Sequence, residues 1–277
     1  MNAYLEILRP GNALLAVVAV VLIAIIGKNY DVPILIGIIT VFLATGAGNV
    51  INDYFDYKID AINKPERPIP SGRISLKNAR NYSFILFLLA IALGSIISFI
   101  INSYWPFIIV VFNSIVMYYY AYSLKSSVLT GNISVAFLTA SCFIFGGSII
   151  GLFEISFYLA FFAFFMTLAR EIVKDMEDYI GDKQEGAKTL PIKYGMKISS
   201  ILAALFILLA SCLSPILYLN GIFNLYYLIP LTIALIFFIM SAYKILLNQE
   251  VENCKTVSKL LKRGMMIAFI AFAVGSF

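Results

Sequence analysis

Long uncharged runs dominate this chain, and they recur at intervals that suit a bilayer. A hydrocarbon core about 30 Å thick takes roughly 20 apolar residues per helical crossing. Nine stretches come near that length: 11 to 27, 33 to 52, 81 to 101, 104 to 123, 128 to 150, 155 to 169, 198 to 219, 224 to 243 and 264 to 277. The last makes a full crossing only if its helix begins near Lys259. In lipid only helices and closed barrels satisfy their backbone groups, and runs this uniform lack the alternation of barrel strands. The pattern predicts an all-α membrane protein of nine transmembrane helices in a bundle, one domain over 1–277.

Composition agrees, because 61% hydrophobic against 13% charged residues exceeds what a soluble core of 277 residues needs. Charge placement tests the count. With a cytoplasmic N-terminus, only Lys28 of the 20 Lys and Arg falls on the outer side, provided Lys244 ends the eighth span. This predicts a multi-pass protein of the cell membrane with its C-terminus outside. The net charge of +5 then reports topology; the basic residues are dispersed among short loops and mixed with acids, which argues against a nucleic-acid partner. Glu6 and Arg9 before the first run, with no small-residue cleavage site after it, predict a retained span. The chain has no histidine, and Cys142, Cys212 and Cys254 lack ligand spacing. Histidine bases and most zinc sites are thereby removed, so any metal must be held by oxygen.

Two longer cytoplasmic segments repeat one pattern. Asp53, Asp56 and Asp60 in "DYFDYKID" and Asp175, Asp178 and Asp182 in "DMEDYIGD" both read DxxDxxxD, four spans apart. The chain therefore reads as two related four-helix halves, about 1–127 and 128–247, plus a last helix. On a continuous helix, positions i, i+3 and i+7 fall within about 60° and share a face. Carboxylates gathered so repel, by about 4 kcal/mol for unit charges 4 Å apart at an effective dielectric of 20. Hard divalent cations suit them, and magnesium commonly adds phosphate oxygens to one or two carboxylates. A single triad would read as a solvated helix end. Two in one register favour a metal-bridged diphosphate, whose neutralisation makes it a better leaving group.

At these residues the chain resembles the UbiA superfamily of intramembrane prenyltransferases. "NDYFDYKID" matches its first motif, NDxxDxxxD, and "DYIGD" its second, DxxxD. The likeness extends to "RPIPSGRIS" at 67–75, "YAYSLKSS" at 120–127 and "GAKTLPIKYG" at 186–195. It implies nine transmembrane helices and Mg2+ as cofactor. It implies further that Asn52, Asp56 and Asp60, with Asp53, hold one magnesium–diphosphate side, and Asp178 and Asp182, with Asp175, the other. Basic and phenolic groups on the substrate would be Arg9, Arg67, Lys125, Lys188 and Tyr122. Tyr122 at i−3 would share the helical face of Lys125, the only charged residue between the fourth and fifth spans. The superfamily motif often reads YPxxK, so which of Tyr118, Tyr120 and Tyr122 faces the diphosphate stays open.

Carboxylates at span ends put the diphosphate at the water boundary and leave the apolar bundle for the isoprenoid, shielding the allylic cation from water. "REIVKDMEDYIGDKQEGAKTLPIKYG" is most similar to an archaeal ether-lipid branch, in which geranylgeranyl diphosphate alkylates the glycerol hydroxyl of geranylgeranylglyceryl phosphate. A phosphate-bearing acceptor wants cations, and residues 170–197 supply Arg170, Lys174, Lys183, Lys188, Lys193 and Lys197. The partners implied are an isoprenoid diphosphate, a lipid-phosphate acceptor and membrane lipid, with no obligate protein partner. Alternatives are an aromatic acceptor of hydroxybenzoate or dihydroxynaphthoate type and, from other classes, a transporter or a CDP-alcohol phosphotransferase. A transporter would set its acids near the midplane, and neither triad contains the DGxxAR element of the phosphotransferases. "ATGAGN" at 44–49 and "FFAFFM" at 161–166 read as packing surfaces.

Overall fold

The computed structural model describes residues 2–125, 127–184 and 186–277. Every element among them is helical, and each apolar run falls on a helix. The order begins with α1 (Ala3–Glu6), α2 (Pro10–Ile26), α3 (Val32–Phe55) and the short α4 (Tyr57–Asn63). Next come α5 (Leu76–Ile100) and α6 (Trp105–Tyr119), which runs into a π-helical turn at Tyr120–Leu124. They are followed by α7 (Thr130–Ile150), α8 (Phe153–Glu177), α9 (Tyr179–Gln184) and α10 (Leu190–Tyr194). The chain closes with α11 (Met196–Leu213), α12 (Ile216–Leu219), a 3-10 turn (Leu225–Tyr227), α13 (Leu228–Leu247) and α14 (Val251–Gly275).

Seven of these, among the described residues, are long and apolar enough to cross a membrane; α6 reaches that length together with its π-helical turn. The first run lies on α2, which has 17 residues, and the ninth on α14, whose first half carries Lys255, Lys259, Lys262 and Arg263. The protein is an integral membrane protein.

The chain forms two compact units, one of residues up to Ser123 with Ser141–Ser156, the other of Leu124–Ala140 with Phe157–Phe277. In the first, α3 packs between α2 and α5. Small residues allow close approach: Gly46 lies under Leu8 and Gly48 under Met117, so "ATGAGN" serves packing. Ile7, Leu8, Ile69 and Ile74 join Ala47, Val50 and Ile51 in one buried cluster, which seats the N-terminal segment and the 64–75 loop against the end of α3.

In the second unit α13 packs against α11 and α14. Phe162 of "FFAFFM" stacks on Phe272 with ring centroids 6.2 Å apart, a contact with a neighbouring helix as expected. α11 stops before Pro215, which has no N–H to continue the ladder. Where the helix ends, the Ser214 carbonyl accepts from the hydroxyl of Tyr227 at 2.9 Å, and Tyr227 is wholly buried. Tyr227→Phe removes that donor and strands a carbonyl away from water. It should lower stability by about 1–3 kcal/mol, read as an earlier thermal unfolding transition in detergent.

Candidate active site

Both acidic motifs straddle a helix break at the same position. α3 stops at Phe55 and α4 starts at Tyr57, with Asp56 between them; α8 stops at Glu177 and α9 starts at Tyr179, with Asp178 between them. The expectation of one continuous helix per triad is corrected. The first aspartate ends a long apolar helix and the third sits in a short one. The helical bonds on either side of the break meet at that middle aspartate. Asp56 N–H donates to the Asn52 carbonyl at 2.9 Å and Asp60 N–H to that of Asp56 at 2.8 Å. The second motif repeats this, Asp178 to Lys174 at 2.9 Å and Asp182 to Asp178 at 3.0 Å.

In the first unit the motif is held by arginines. Asp53 is 3% exposed and Asp60 5%. Arg67 Nη1 donates to Asp60 Oδ2 at 2.6 Å and, at 3.3 Å, to Asp53 Oδ1, which also takes a bond from Arg9 Nη2. Asn52 Nδ2 donates to Asp56 Oδ2 at 2.9 Å, while Asn52 Oδ1 is buried with no hydrogen-bond partner.

The chain fixes both arginines from the backbone up. Asn2 caps α1, Ile7 and Leu8 are buried, and the Leu8 carbonyl accepts from Asn49 Nδ2 at 2.8 Å. Arg9 then adopts the left-handed region, φ 49° and ψ 66°, before Pro10 opens α2. Such a conformation costs a non-glycine residue of order 1–3 kcal/mol and persists only where surroundings enforce it. Here the enforcing groups are the Leu8 anchor and Asp53. Arg67 belongs to the 64–75 loop, where Gly72 supplies a φ of +75° and Ile74 N–H closes onto the Pro68 carbonyl at 3.0 Å. Arg73 clasps loop to N-terminal segment by a two-toothed pair with Glu6, 2.6 and 2.8 Å. Its hydrogen bonds hold the Glu6 carboxyl below its ordinary value of 4.5.

The second unit treats its motif differently. Asp175 accepts from Asn132 Nδ2 of α7 at 2.8 Å, an amide where Asp53 has guanidiniums. Sequence reasoning missed Asn132; the available signal was a polar side chain inside an apolar run, 8% exposed in the fold. In both units the first aspartate is thus bound from the start of the preceding helix, by Arg9 at α2 and by Asn132 at α7. Asp178 is exposed and lines a cleft of about 270 Å³ with Arg170, Lys174 and Glu177 of α8. Ser258, Lys259 and Lys262 of α14 form the other wall. Lys188 is exposed in the stretch between α9 and α10.

Tyr122 and Lys125 do not share an α-helical face. The π-helical turn widens the backbone from Tyr120 to Leu124, and Lys125 lies in the turn beyond it. Tyr118 and Tyr122 stack at 6.4 Å and both meet the edge of Phe55, at 5.7 and 5.5 Å. Phe55 stands between Asp53 and Asp56, so these two tyrosines reach the motif through it; Tyr120 lies half-buried within the turn.

A family model described as the UbiA prenyltransferase family matches residues 13–271. The chain belongs to the UbiA prenyltransferase family. It is 54% identical to the digeranylgeranylglyceryl phosphate synthase of Methanobrevibacter smithii, over 100% of this chain and 99% of that one. It is 52% identical to the protein of that name from Methanothermobacter thermautotrophicus, over 100% and 96%. A solved structure described as giving insights into "Digeranylgeranylglyceryl phosphate synthase in membranes" agrees with TM-score 0.88 at 39% identity, covering 99% of this chain and 97% of that one. A UbiA homolog from Archaeoglobus fulgidus bound to GPP and Mg2+ shares the fold, with TM-score 0.69 at 19% identity over 96% and 98%.

Two outcomes follow for this UbiA-family prenyltransferase. Lysine offers one point charge where Arg67 spans two carboxylates, so Arg67→Lys should lower kcat/KM by about tenfold or more in a prenyl-transfer assay. Because Glu6 is depressed by Arg73, the clasp contributes fully above the ordinary carboxylate value and fades as pH falls through the lowered one. Arg73→Gln should therefore unfold below wild type at neutral pH, and the two melting temperatures should converge as the pH falls below the ordinary carboxylate range.

Proposed function

We propose that this protein transfers a geranylgeranyl group from geranylgeranyl diphosphate to the free glycerol hydroxyl of geranylgeranylglyceryl phosphate, making digeranylgeranylglyceryl phosphate. The observation that carries this is identity of 54% along the whole chain with a relative named for that product. In the reaction the bond from the allylic carbon to the diphosphate oxygen breaks, and the diphosphate leaves with the electron pair. The glycerol oxygen bonds to that carbon and gives up its proton.

The chemistry of the donors fits Mg2+. The orphaned Asn52 Oδ1 and the carboxylates beside it are hard oxygen ligands. Among the described residues no three His, Cys, Asp or Glu side chains already form a metal cluster. The holding residues would be Asn52, Asp56 and Asp60 of the first unit and Asp178 and Asp182 of the second. Asp60 gives Oδ2 to Arg67, and a carboxylate has roughly four acceptor sites, so it retains capacity for a metal. When bound there, magnesium would neutralise the diphosphate and improve it as a leaving group. Arg9 and Arg67 orient Asp53 and Asp60, and their remaining N–H groups serve the phosphate oxygens, as Lys125 and Lys188 would by charge. Phe55, Tyr118 and Tyr122 give aromatic faces suited to a delocalised cation. α2 and α14 would complete nine crossings, with the N-terminus and the acidic motifs on the cytoplasmic side and the C-terminus outside.

A substrate panel tests this reading. Labelled geranylgeranyl diphosphate is offered with geranylgeranylglyceryl phosphate, hydroxybenzoate or dihydroxynaphthoate, with and without chelator. Product is expected from the lipid phosphate alone, abolished by chelation, and cut roughly a hundredfold by Asp56→Asn or Asp178→Asn. Product from an aromatic acid alone would reject the acceptor; full activity in chelator would reject the metal.

A further inference from the structure

The six basic residues of segment 170–197 part company in the structure. Arg170 and Lys174 line the cleft at Asp178, whereas Lys183, Lys188, Lys193 and Lys197 are not among its walls. The missing cations come from α14, more than sixty residues later in the chain. Ser258, Lys259 and Lys262 fall at i, i+1 and i+4 on that helix and form the opposite wall, while Lys255 and Arg263 are not among the walls. A positive-inside bias would not sort α14 this way, because it acts on all four basic residues alike.

Size and charge narrow what the cleft takes. At about 270 Å³ it falls below the roughly 300–1,000 Å³ of pockets for drug-sized ligands, which suits a headgroup. Four cations (Arg170, Lys174, Lys259, Lys262) face two carboxylates (Glu177, Asp178) in the walls, and with Glu171 paired to Arg170 behind them the excess is one positive charge. A phosphomonoester carries about −1.5 to −2 at neutral pH. Arg170 supplies a second sign of an absent ligand: Nη1 bonds Glu171 at 2.8 Å, but Nε is buried with no partner. On the apolar side of Arg170 lie buried Met166 and Ala169, and on that of Lys262 buried Leu261 and Gly264. The charged cleft therefore lies where the apolar stretches of α8 and α14 end, the place in the chain that suits a phosphate attached to a lipid tail.

We propose that this cleft is the phosphate subsite for the acceptor lipid, holding the phosphomonoester of an isoprenylglycerol phosphate between Arg170 and Lys174 on one wall and Ser258, Lys259 and Lys262 on the other. It rests on the acceptor reading above. The glycerol hydroxyl, a few bonds from that phosphate, is thereby brought to the side of the cleft that carries Asp178.

The test varies both substrates in initial-rate assays of wild type, Lys259→Gln, Lys262→Gln and the double variant, with Lys255→Gln and Arg263→Gln as matched charge losses outside the cleft. The acceptor KM should rise about tenfold for each single variant and further for the double, with the donor KM within about twofold of wild type. Lys262→Arg should recover most of the loss. The two controls should leave both KM values where they were, and thermal unfolding in detergent should show every variant folded. An acceptor KM unmoved in the double variant would overturn the subsite while leaving the acceptor reading standing. A rise in the donor KM instead would overturn it too, giving the cleft to the diphosphate. No wild-type turnover of the lipid phosphate would overturn both.

Discussion

A carboxylate at the end of an apolar helix must be neutralised where it stands, and much of the first unit is organised around that requirement. Asp53 is 3% exposed in the last turn of a 24-residue helix. Removing an ion from water costs several kcal/mol even after relaxation, and loss of one partner of a buried pair leaves the other uncompensated. Two guanidiniums answer that cost, and neither comes from α3 itself. Arg9 arrives on a strained left-handed residue anchored by Leu8, and Arg67 on a loop seated by Ile69 and Ile74. The Glu6–Arg73 clasp joins the two segments that bring them. The short α1, the left-handed Arg9 and the 64–75 loop are thus parts of one device for holding charge at the lip of a membrane helix.

The two acidic motifs share a backbone but not an electrostatic environment. Each breaks at its middle aspartate, whose N–H makes the last i→i−4 bond of the long helix and whose carbonyl accepts the first of the short one. The two motifs thus share the position of the break as well as the spacing of their aspartates. Side chains then diverge. Asp53 sits between arginines, Asp175 takes a neutral amide, and the cations of the second unit gather instead around Asp178. Equal geometry with unequal charge allows one motif to be tied down by its own protein while the other keeps an exposed aspartate beside a cationic cleft.

The elements were legible because lipid leaves so little choice. Nine uncharged runs fell on helices, since a backbone without water must bond within itself, while length and composition alone qualify seven of them as crossings. The acidic repeat was legible from spacing, and Arg9 and Arg67 from their place beside it. The breaks were not, because no proline or glycine stands within residues 53–60 to mark one, and Gly181 of the second motif lies three residues past the break at Asp178. Asn132 was hidden as one amide in a run scored by its apolar neighbours. Lys259 and Lys262 were hidden by distance along the chain and by a sufficient ordinary explanation in membrane topology; only packing of α8 near α14 sorts them from Lys255 and Arg263.

The tyrosine motif failed for a different reason. A 100° periodicity was applied across a segment whose bonds skip to the fifth residue, and each such step adds backbone that the wheel does not count. Wide turns have poorer hydrogen-bond geometry, so they survive where something else is gained. Here the turn ends the helix before Lys125, freeing that lysine from any helical face, while Tyr118 and Tyr122 remain paired on Phe55. Phe55 is flanked by Asp53 and Asp56, so the aromatic pair and the carboxylates are referred to one residue and move together if α3 shifts. A regular α-helix through Leu124 would have bound the lysine to the tyrosines' register; the π-helical turn lets the two be positioned independently.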